Sequence, residues 1–481
     1  MCHNQTVNIM LVGREFEQNL LLETAQSDQS EFVAIYGRRR VGKTYLVRET
    51  FNYNFAFQHT GVQGDDKDVQ LARFAKSLEI AGMRKCPKLK DWFAAFDALG
   101  KFLQGLGAEK KIIFIDELPW LDTPKSGFLP ALEHFWNGWA TMRRDIMLIV
   151  CGSATSWIVS KLVKNYGGLH NRLTRQIHLK PFTLRECELY ATARELKMTR
   201  MQVLQTYMVL GGVPFYWSFL RRGYSWSQNI DFLFFGDNAD LKDEFSALYS
   251  SLFRNPEPYI QVVRTLGKIK AGMTRGEIAE AIGQDHGGTL TKILNNLELC
   301  GFLRSYTSIG KAKKDTLYQL FDNFTLFYLR FVDSNTVKDK QFWSRSIGGG
   351  TYNAWCGLAF ERVCFQHVEQ IKNALGITGV ISGVYSWVYR PKDKKETGVQ
   401  IDMLIDRADG VIDLCEIKFA QGEYEIKKKY ADSLRNKLAV FQSKTETRKA
   451  VFVVLISTEG LVGNEYARDI QNQVVADDLF K

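Results

Sequence analysis

The sequence lacks long apolar runs and paired cysteines. Its longest apolar stretches, such as 451–456, fall far short of the ~20 residues that a membrane-spanning helix needs. The first thirty residues show no basic start followed by an apolar core, so no signal peptide is expected. The eight cysteines form no CxxC pair and have no zinc-ligand spacing with the seven histidines. These absences predict a reduced cytoplasmic protein with buried thiols and no membrane contact.

Length, composition and net charge indicate the general class of protein and its number of domains. The 481 residues are too many for one ordinary core and predict roughly three domains. Hydrophobic residues make up 45% and charged residues 24%, as in soluble globular proteins. The net charge of +10 suits an anionic partner such as nucleic acid, but spread over this length it favours DNA only weakly.

Short apolar runs alternate with helical patterns in the first part of the chain. The runs 32–36, 112–115 and 146–150 are separated by helical stretches. This alternation predicts an α/β domain with a parallel sheet covered by helices. Aromatic-rich helical patterning without strands follows over 181–255 and predicts a small helical lid.

A glycine-rich loop follows the first of these runs and leads into a helix. Its sequence, GRRRVGKT, fits the phosphate-binding P-loop pattern, and the strand, loop and helix order is the context that this motif requires. Backbone amides would hold the phosphates of ATP, Lys43 would reach the β- and γ-phosphates, and Thr44 would bind Mg²⁺. The predicted nucleotide-binding residues are Gly37, Arg38, Arg39, Arg40, Val41, Gly42, Lys43 and Thr44. The alternative is an ordinary glycine-rich turn.

The run 112–115 ends in two acids, Asp116 and Glu117. In P-loop enzymes an acid at this strand end holds Mg²⁺, so Asp116 is predicted as a metal ligand. Glu117 is free of the metal and could polarise the attacking water as general base. The alternative is a solvated strand end.

Polar residues near two later strands complete the predicted site. Ser153 follows the run 146–150 and is a candidate sensor of the γ-phosphate. Arg172 and Arg175 lie in HNRLTRQI, where an arginine could reach the transferred phosphoryl group in cis or across a subunit boundary. Arg172 is named as the site residue, although either arginine could take this role, and a homo-oligomer is a candidate assembly.

The order of these motifs resembles the archaeal-type ATPases related to the AAA+ and STAND groups. The resemblance rests on VGRE, GRRRVGKT, FIDEL, CGSATS and LGGVP between residues 12 and 214. It implies that Gly212 and Pro214 match a Gly-x-Pro element that places the lid near the nucleotide. From the residues alone, GGVP would be a helix break.

The stretch 256–335 has the pattern of a winged helix. A helix with the capping-box residues Thr274 and Glu277 is followed by a second helix, whose polar face carries Lys292 and Asn295 and could read a DNA major groove. Two strand-like runs then flank a basic tip. The tip lysines that could contact phosphates are Lys311, Lys313 and Lys314. Alternatively, the module only connects its neighbours.

The C-terminal stretch 345–481 carries acids on two predicted strands, 399–406 and 411–419. Asp402 and Glu416 lie equally far from the turn and should face each other across a hairpin, with Lys418 on the face of Glu416. Two close carboxylates and an amine suit metal-assisted phosphodiester hydrolysis, in which a divalent cation would keep both acids charged. The Glu-x-Lys at Glu425 has no partner acid on a paired strand, and neither does the one at Glu109.

This arrangement resembles the PD-(D/E)xK nuclease fold, although Gln400-Ile401-Asp402 lacks the proline of the usual signature. The resemblance implies Glu361, on a helix from about 355 to 371, as a third metal ligand; the ordinary alternative is an exposed helix glutamate. The order of domains is similar to a family of prokaryotic ATPases with such a C-terminal domain.

These patterns predict four domains: a P-loop core over 1–180, a helical lid over 181–255, a winged helix over 256–335 and a restriction-endonuclease-like α/β domain over 345–481. They favour an ATP-hydrolysing, DNA-binding protein with a metal-dependent nuclease-like domain. The alternative is a STAND-type regulatory switch whose nuclease-like domain is inactive and only docks a partner.

Overall fold

The computed structural model describes residues 11–163, 169, 171–283, 287–307, 309, 315–333, 339–389, 391 and 398–481. The chain forms two compact units. The first extends to Pro181 and also includes Ser251–Arg254. The second comprises Phe182–Ser250 and Asn255–Lys481.

Helices and strands alternate in the first unit, helices dominate the start of the second, and strands return near its end. In chain order the α-helices are α1 Glu15–Ala25, α2 Lys43–Thr50, α3 Lys67–Ile80, α4 Trp92–Gln104, α5 Phe128–Gly138, α6 Thr155–Ile158, α7 Leu184–Ala193, α8 Arg200–Leu210, α9 Pro214–Trp217, α10 Trp226–Phe234, α11 Glu244–Leu252, α12 Glu257–Gly267, α13 Arg275–Ile282, α14 Gly288–Leu299, α15 Asn323–Phe327, α16 Phe342–Ser346, α17 Gly350–Gln366, α18 Val368–Ala374 and α19 Lys428–Thr445. The strands are β1 Glu31–Tyr36, β2 Phe57–Thr60, β3 Lys111–Asp116, β4 Ile146–Gly152, β5 Arg175–His178, β6 Met273–Thr274, β7 Leu303–Tyr306, β8 Leu317–Leu320, β9 Ser382–Tyr389, β10 Val399–Arg407, β11 Val411–Lys418, β12 Ala450–Ser457 and β13 Asn472–Val475. Among the described residues, no helix combines the length and apolarity that crossing a membrane requires.

The first unit is built on a five-stranded sheet in the order β2-β3-β4-β1-β5. All neighbouring strands are parallel, which confirms the predicted parallel sheet and its three apolar runs. Side chains alternate between two cores: Phe32 packs on one face with α3, α4 and α5, and Val33 packs on the other with α2. Since the strands are parallel, the residues that follow β1, β3 and β4 meet at one edge, where α/β sheets bind ligands.

The second unit begins with the predicted helices, α7 to α11. Capping boxes start α7 at Thr183, α8 at Thr199 and α10 at Ser225. Gly212 follows α8, and its carbonyl accepts a hydrogen bond from Phe182 N at 2.6 Å. A Cβ at Gly212 would lie 1.8 Å from the Phe182 carbonyl oxygen, so no other residue fits without movement of the backbone.

Three helices and a small sheet follow in the order α12, β6, α13, α14, β7, β8. The antiparallel sheet has the order β6-β8-β7. The capping box of Thr274 and Glu277 is present, and Gly283 ends α13 with φ 64°, as the sequence predicts. Arg275 donates to the Gly287 carbonyl oxygen at 2.8 Å and thereby joins the starts of α13 and α14.

The C-terminal strands form a mixed five-stranded sheet in the order β13-β12-β11-β10-β9. The strands β9, β10 and β11 pair antiparallel, whereas β11, β12 and β13 pair parallel. Helix α17 packs against β11, and α19 packs against β10. The predicted helix over 355–371 breaks at His367, which separates α17 from α18.

Candidate functional site

The predicted P-loop lies between β1 and α2, at the ligand-binding edge of the first sheet. Gly42 precedes α2 with φ 91°, and Gly37 has φ 143° with its α-carbon packed against the Leu179 carbonyl. Both positions need the conformational freedom of glycine. The Lys43 ammonium is buried within the loop and donates to the carbonyl oxygens of Gly37 at 3.0 Å and Arg38 at 2.9 Å. The loop therefore folds around its own lysine.

Asp116 joins the end of β3 to the P-loop helix. Its Oδ2 accepts a hydrogen bond from Thr44 Oγ1 at 2.7 Å. Its Oδ1 accepts from the Glu117 amide at 2.8 Å and from the Cys151 thiol at 2.6 Å. Burial and the neighbouring Asp116 carboxylate hold the pKa of Cys151 well above its usual range, so the thiol keeps its proton and remains a donor.

Thr44 and Asp116 fit the predicted Mg²⁺ site. Mg²⁺ takes oxygen ligands and is typically held by one or two protein side chains together with phosphate oxygens and water. The hydroxyl of Thr44 and the carboxylate of Asp116 converge within hydrogen-bond distance beside the loop that would hold those phosphates. These two residues would hold the ion.

Glu117 occupies a left-handed backbone conformation with φ 48° and ψ 42°. For a residue other than glycine this conformation costs about 1–3 kcal/mol and is concentrated at functional sites. Its carboxylate accepts from the Ser153 amide at 3.0 Å and from the Ser153 hydroxyl at 2.5 Å. The structure thus brings the predicted base and the predicted sensor into direct contact.

Arg172 lies away from this edge. It is exposed and lies just before β5, where Arg175 pairs with Val33 on β1. It lines a cavity of about 500 Å³ together with Ser30 and Arg143. A strand rises about 3.3 Å per residue, so the length of β1 separates this end from the P-loop by about 20 Å. The cis alternative for Arg172 is wrong on this geometry, and only the role across a subunit boundary remains a prediction.

The remaining predicted site residues lie in the second unit or are not among the described residues. Gly212 lies between α8 and α9 and Pro214 begins α9, so their nucleotide role stays a prediction. Lys292 and Asn295 are both exposed on α14. The tip lysines Lys311, Lys313 and Lys314 lie outside the described residues.

The predicted hairpin of acids is present in the C-terminal sheet. Met403 on β10 pairs with Cys415 on β11, and one residue further this register puts Asp402 opposite Glu416. Lys418 Nζ lies 3.8 Å from Glu416 Oε2. The pairing of β10 with β9 shifts by one residue between Ile401 and Leu404, so Asp402 lies in a β-bulge. Bulges redirect side chains, which sequence alternation does not reveal.

Glu361 is buried on α17, with 3% of its surface exposed, so the alternative of an exposed helix glutamate is wrong. Its Oε1 accepts from Arg362 at 2.8 Å, and its Oε2 lies 2.7 Å from Lys270 Nζ. The same ammonium lies 3.8 Å from Asp402 Oδ1. Burial and repulsion from Glu361 and Glu416 raise the pKa of Asp402 to about 6, against the opposing effect of Lys270.

Glu416 is fully buried and has its own partners on α19. Its Oε1 accepts from Lys437 Nζ at 2.6 Å and its Oε2 from the Tyr430 hydroxyl at 2.9 Å. The chain's own amines therefore supply the positive charge that the sequence led us to expect from a divalent cation. As placed, Glu361 and Glu416 present no free pair of oxygens to a metal, and no cluster of metal-binding type occurs among the described residues.

Sequence reasoning missed Lys270, Lys437 and Tyr430. Tyr430 and Lys437 are seven positions apart on α19, so they lie two turns apart on the same face of the helix. This spacing is the sequence signal that could have identified them. Lys270 comes from the connection between α12 and β6, and no periodicity links it to the sheet.

Comparison with known proteins agrees with the first of these sites. Residues 11–218 match the family described as an ATPase domain predominantly from Archaea. The uncharacterized protein MJECL04 of Methanocaldococcus jannaschii is 25% identical over 444 residues, which is 89% of this chain and 91% of that protein.

Two solved structures are also similar. The Walker-type ATPase PABY2304 of Pyrococcus abyssi matches with 15% identity and a TM-score of 0.48, over 67% of this chain and 96% of that one. The ORC2 protein of Aeropyrum pernix matches with 14% identity and a TM-score of 0.38, over 67% of this chain and 93% of that one. On the family match and the P-loop geometry, residues 11–218 form an ATPase domain of the archaeal type.

Proposed function

We propose that this chain hydrolyses ATP at the P-loop edge of its first unit. The observation that carries the proposal is the contact of Asp116 with both Thr44 and the Glu117 amide, which brings metal-binding and water-activating groups to one strand end. Lys43 binds the β- and γ-phosphates and the loop amides orient them. A Mg²⁺ ion on Thr44 and Asp116 would neutralise phosphate charge.

Glu117 is the proposed general base, and Ser153 positions it. The two hydrogen bonds from Ser153 fix the carboxylate at the end of β4. Glu117 accepts a proton from the attacking water, and the hydrogen bonds decide how readily its oxygens are available for this step. When ATP is bound, the Ser153 hydroxyl can donate to the γ-phosphate instead of to Glu117. Through this change of partner Ser153 would sense the γ-phosphate.

Substitutions at Lys43 and Glu117 separate binding from hydrolysis. Lys43→Ala should abolish nucleotide binding, because the loop loses its phosphate-binding cation. Glu117→Gln should keep ATP bound while steady-state hydrolysis falls at least tenfold, since loss of a general base typically costs ~10²-fold or more. Glu109→Gln, at an exposed position before β3, is the matched control and should behave as the wild type. Normal turnover by the Glu117 variant would show that another group activates the water.

We further propose that the region from α12 to β8 is a winged helix that binds DNA. The order of its elements and the small antiparallel sheet support this reading. Lys292 and Asn295 are exposed together on α14, the helix that would enter the major groove. The tip lysines between β7 and β8 would add phosphate contacts.

The proposal that this module binds DNA predicts a salt-dependent loss of DNA affinity in a lysine variant. Lys292→Ala should weaken duplex binding at low salt and reduce the slope of log affinity against log salt by about 0.9, the effect of one lost phosphate contact. Fluorescence anisotropy at several salt concentrations measures this slope. Lys242→Ala, also exposed in the second unit, should leave it unchanged. Equal slopes for the wild type and Lys292→Ala would leave the module as a connector.

For the C-terminal sheet we propose a PD-(D/E)xK nuclease-like domain that acts on DNA. The register that puts Asp402 opposite Glu416, the ammonium of Lys270 between Glu361 and Asp402, and the position of Lys418 beside Glu416 support this proposal. The second candidate is a nucleotide-dependent switch in which this domain is inactive and docks a protein partner. The pairing of Glu361 and Glu416 with amines favours this candidate.

Cleavage assays decide between these two roles of the domain. On the nuclease proposal, Asp402→Ala and Lys418→Ala should each abolish cleavage of plasmid and single-stranded DNA with Mg²⁺ or Mn²⁺, and leave ATP hydrolysis intact. Glu425→Ala, at a Glu-x-Lys without a partner acid, should change nothing. A wild type that cleaves none of these substrates would support the switch.

The proposed arginine finger implies an oligomer. Arg172 lies at the sheet edge opposite the P-loop, where it could reach only a neighbouring subunit's nucleotide. The oligomer is therefore part of the proposal.

A further inference from the structure

The amine of Lys270 lies between two carboxylates of the C-terminal cluster, which comprises Glu361, Asp402 and Glu416. It is 2.7 Å from Glu361 Oε2 and 3.8 Å from Asp402 Oδ1. Its side chain is 48% exposed, whereas that of Glu361 is 4% exposed. Lys270 belongs to the connection between α12 and β6 and to neither strand of the acidic hairpin.

The backbone around Lys270 is fixed from several directions. Its carbonyl oxygen accepts from Arg362 at 3.0 Å and from the Gln319 side chain at 2.5 Å. The next carbonyl, of Ala271, accepts from the Tyr306 hydroxyl at 2.6 Å. The backbone at Lys270 is therefore held by residues on α17, β7 and β8, and the ammonium is held by the attraction of the carboxylates.

A divalent cation shared by Glu361 and Asp402 would need the same oxygens. Mg²⁺ and Ca²⁺ bind carboxylate oxygens at about 2.0–2.6 Å, which would bring the metal within a few ångströms of the Lys270 ammonium. Two cations at that separation repel each other strongly where water is partly excluded. Metal and ammonium therefore compete for one place.

We propose that Lys270 closes the carboxylate cluster by occupying the cation position between Glu361 and Asp402, so that a divalent cation binds there only when the ammonium moves away. The inference rests on the proposed nuclease-like role of this domain. Since Gln319 on β8 holds the Lys270 carbonyl and Tyr306 on β7 holds the next one, a movement of the small sheet relative to α17 would displace the ammonium. The proposed DNA-binding module would thus control the cluster beside it.

Metal titration of the full chain tests this closure. Isothermal calorimetry with Mn²⁺ should show at least about tenfold tighter binding by Lys270→Met than by the wild type, because the competing charge is gone. Lys268→Met removes an exposed lysine two positions earlier and should match the wild type. Lys270→Arg should keep the weak affinity. Equal or weaker binding by Lys270→Met, or no binding by either protein, overturns the proposal.

A second measurement needs no variant. Amine-reactive labelling of the wild type, read by mass spectrometry, should show that saturating Mn²⁺ increases the reactivity of Lys270 severalfold and leaves that of Lys268 unchanged. Unchanged reactivity of Lys270 overturns the closure.

The two proposals fail in distinguishable ways. If Lys270→Met binds Mn²⁺ more tightly but cuts no DNA, the closure stands and the nuclease role fails. If Asp402→Ala abolishes cleavage while Lys270→Met binds metal as the wild type does, the nuclease role stands and the closure fails.

Discussion

The carboxylate of Asp116 is the constraint on which the first unit depends. One oxygen holds Thr44, the second residue of the P-loop helix, and the other holds the backbone of Glu117 and the Cys151 thiol. A single side chain thereby connects β3, β4 and the start of α2 at the edge where the strands end. Because these contacts are short and at least partly buried, a shift of β3, β4 or α2 would disturb phosphate binding and water activation together.

The C-terminal sheet of the second unit also depends on how its buried carboxylates are paired. Buried carboxylates are tolerated only when they are paired or hydrogen-bonded. Here Arg362 and Lys270 pair with Glu361, while Lys437 and Tyr430 hold Glu416. The acids of the C-terminal sheet are therefore stabilised by other elements of the same unit, so their chemistry is coupled to the positions of those elements.

Local patterns predicted much of this architecture. The P-loop, Asp116 and the capping box at Thr274 follow from spacing along one strand, turn or helix, and the structure has each of them. The hairpin register that sets Asp402 opposite Glu416 also follows from alternation about one turn. Each of these features is determined by residues that are close together in the sequence. A single sequence was therefore enough to predict them.

Features set by distant contacts could not be predicted in the same way. The bulge at Asp402 depends on how β9 pairs with β10, and Lys270 reaches the cluster from a separate element. Burial of Glu361 required the packing of α17 on β11. The left-handed backbone of Glu117, and its contact with Ser153, arise from the meeting of two strand ends.

The central proposal is that this chain hydrolyses ATP continuously and binds DNA, and is not a switch that retains its nucleotide. Steady-state ATP hydrolysis by the full chain, measured with and without duplex DNA, tests it most directly. The account predicts turnover of many ATP molecules per chain and a faster rate with DNA. Retention of one nucleotide per chain without sustained hydrolysis, unchanged by DNA, would contradict it.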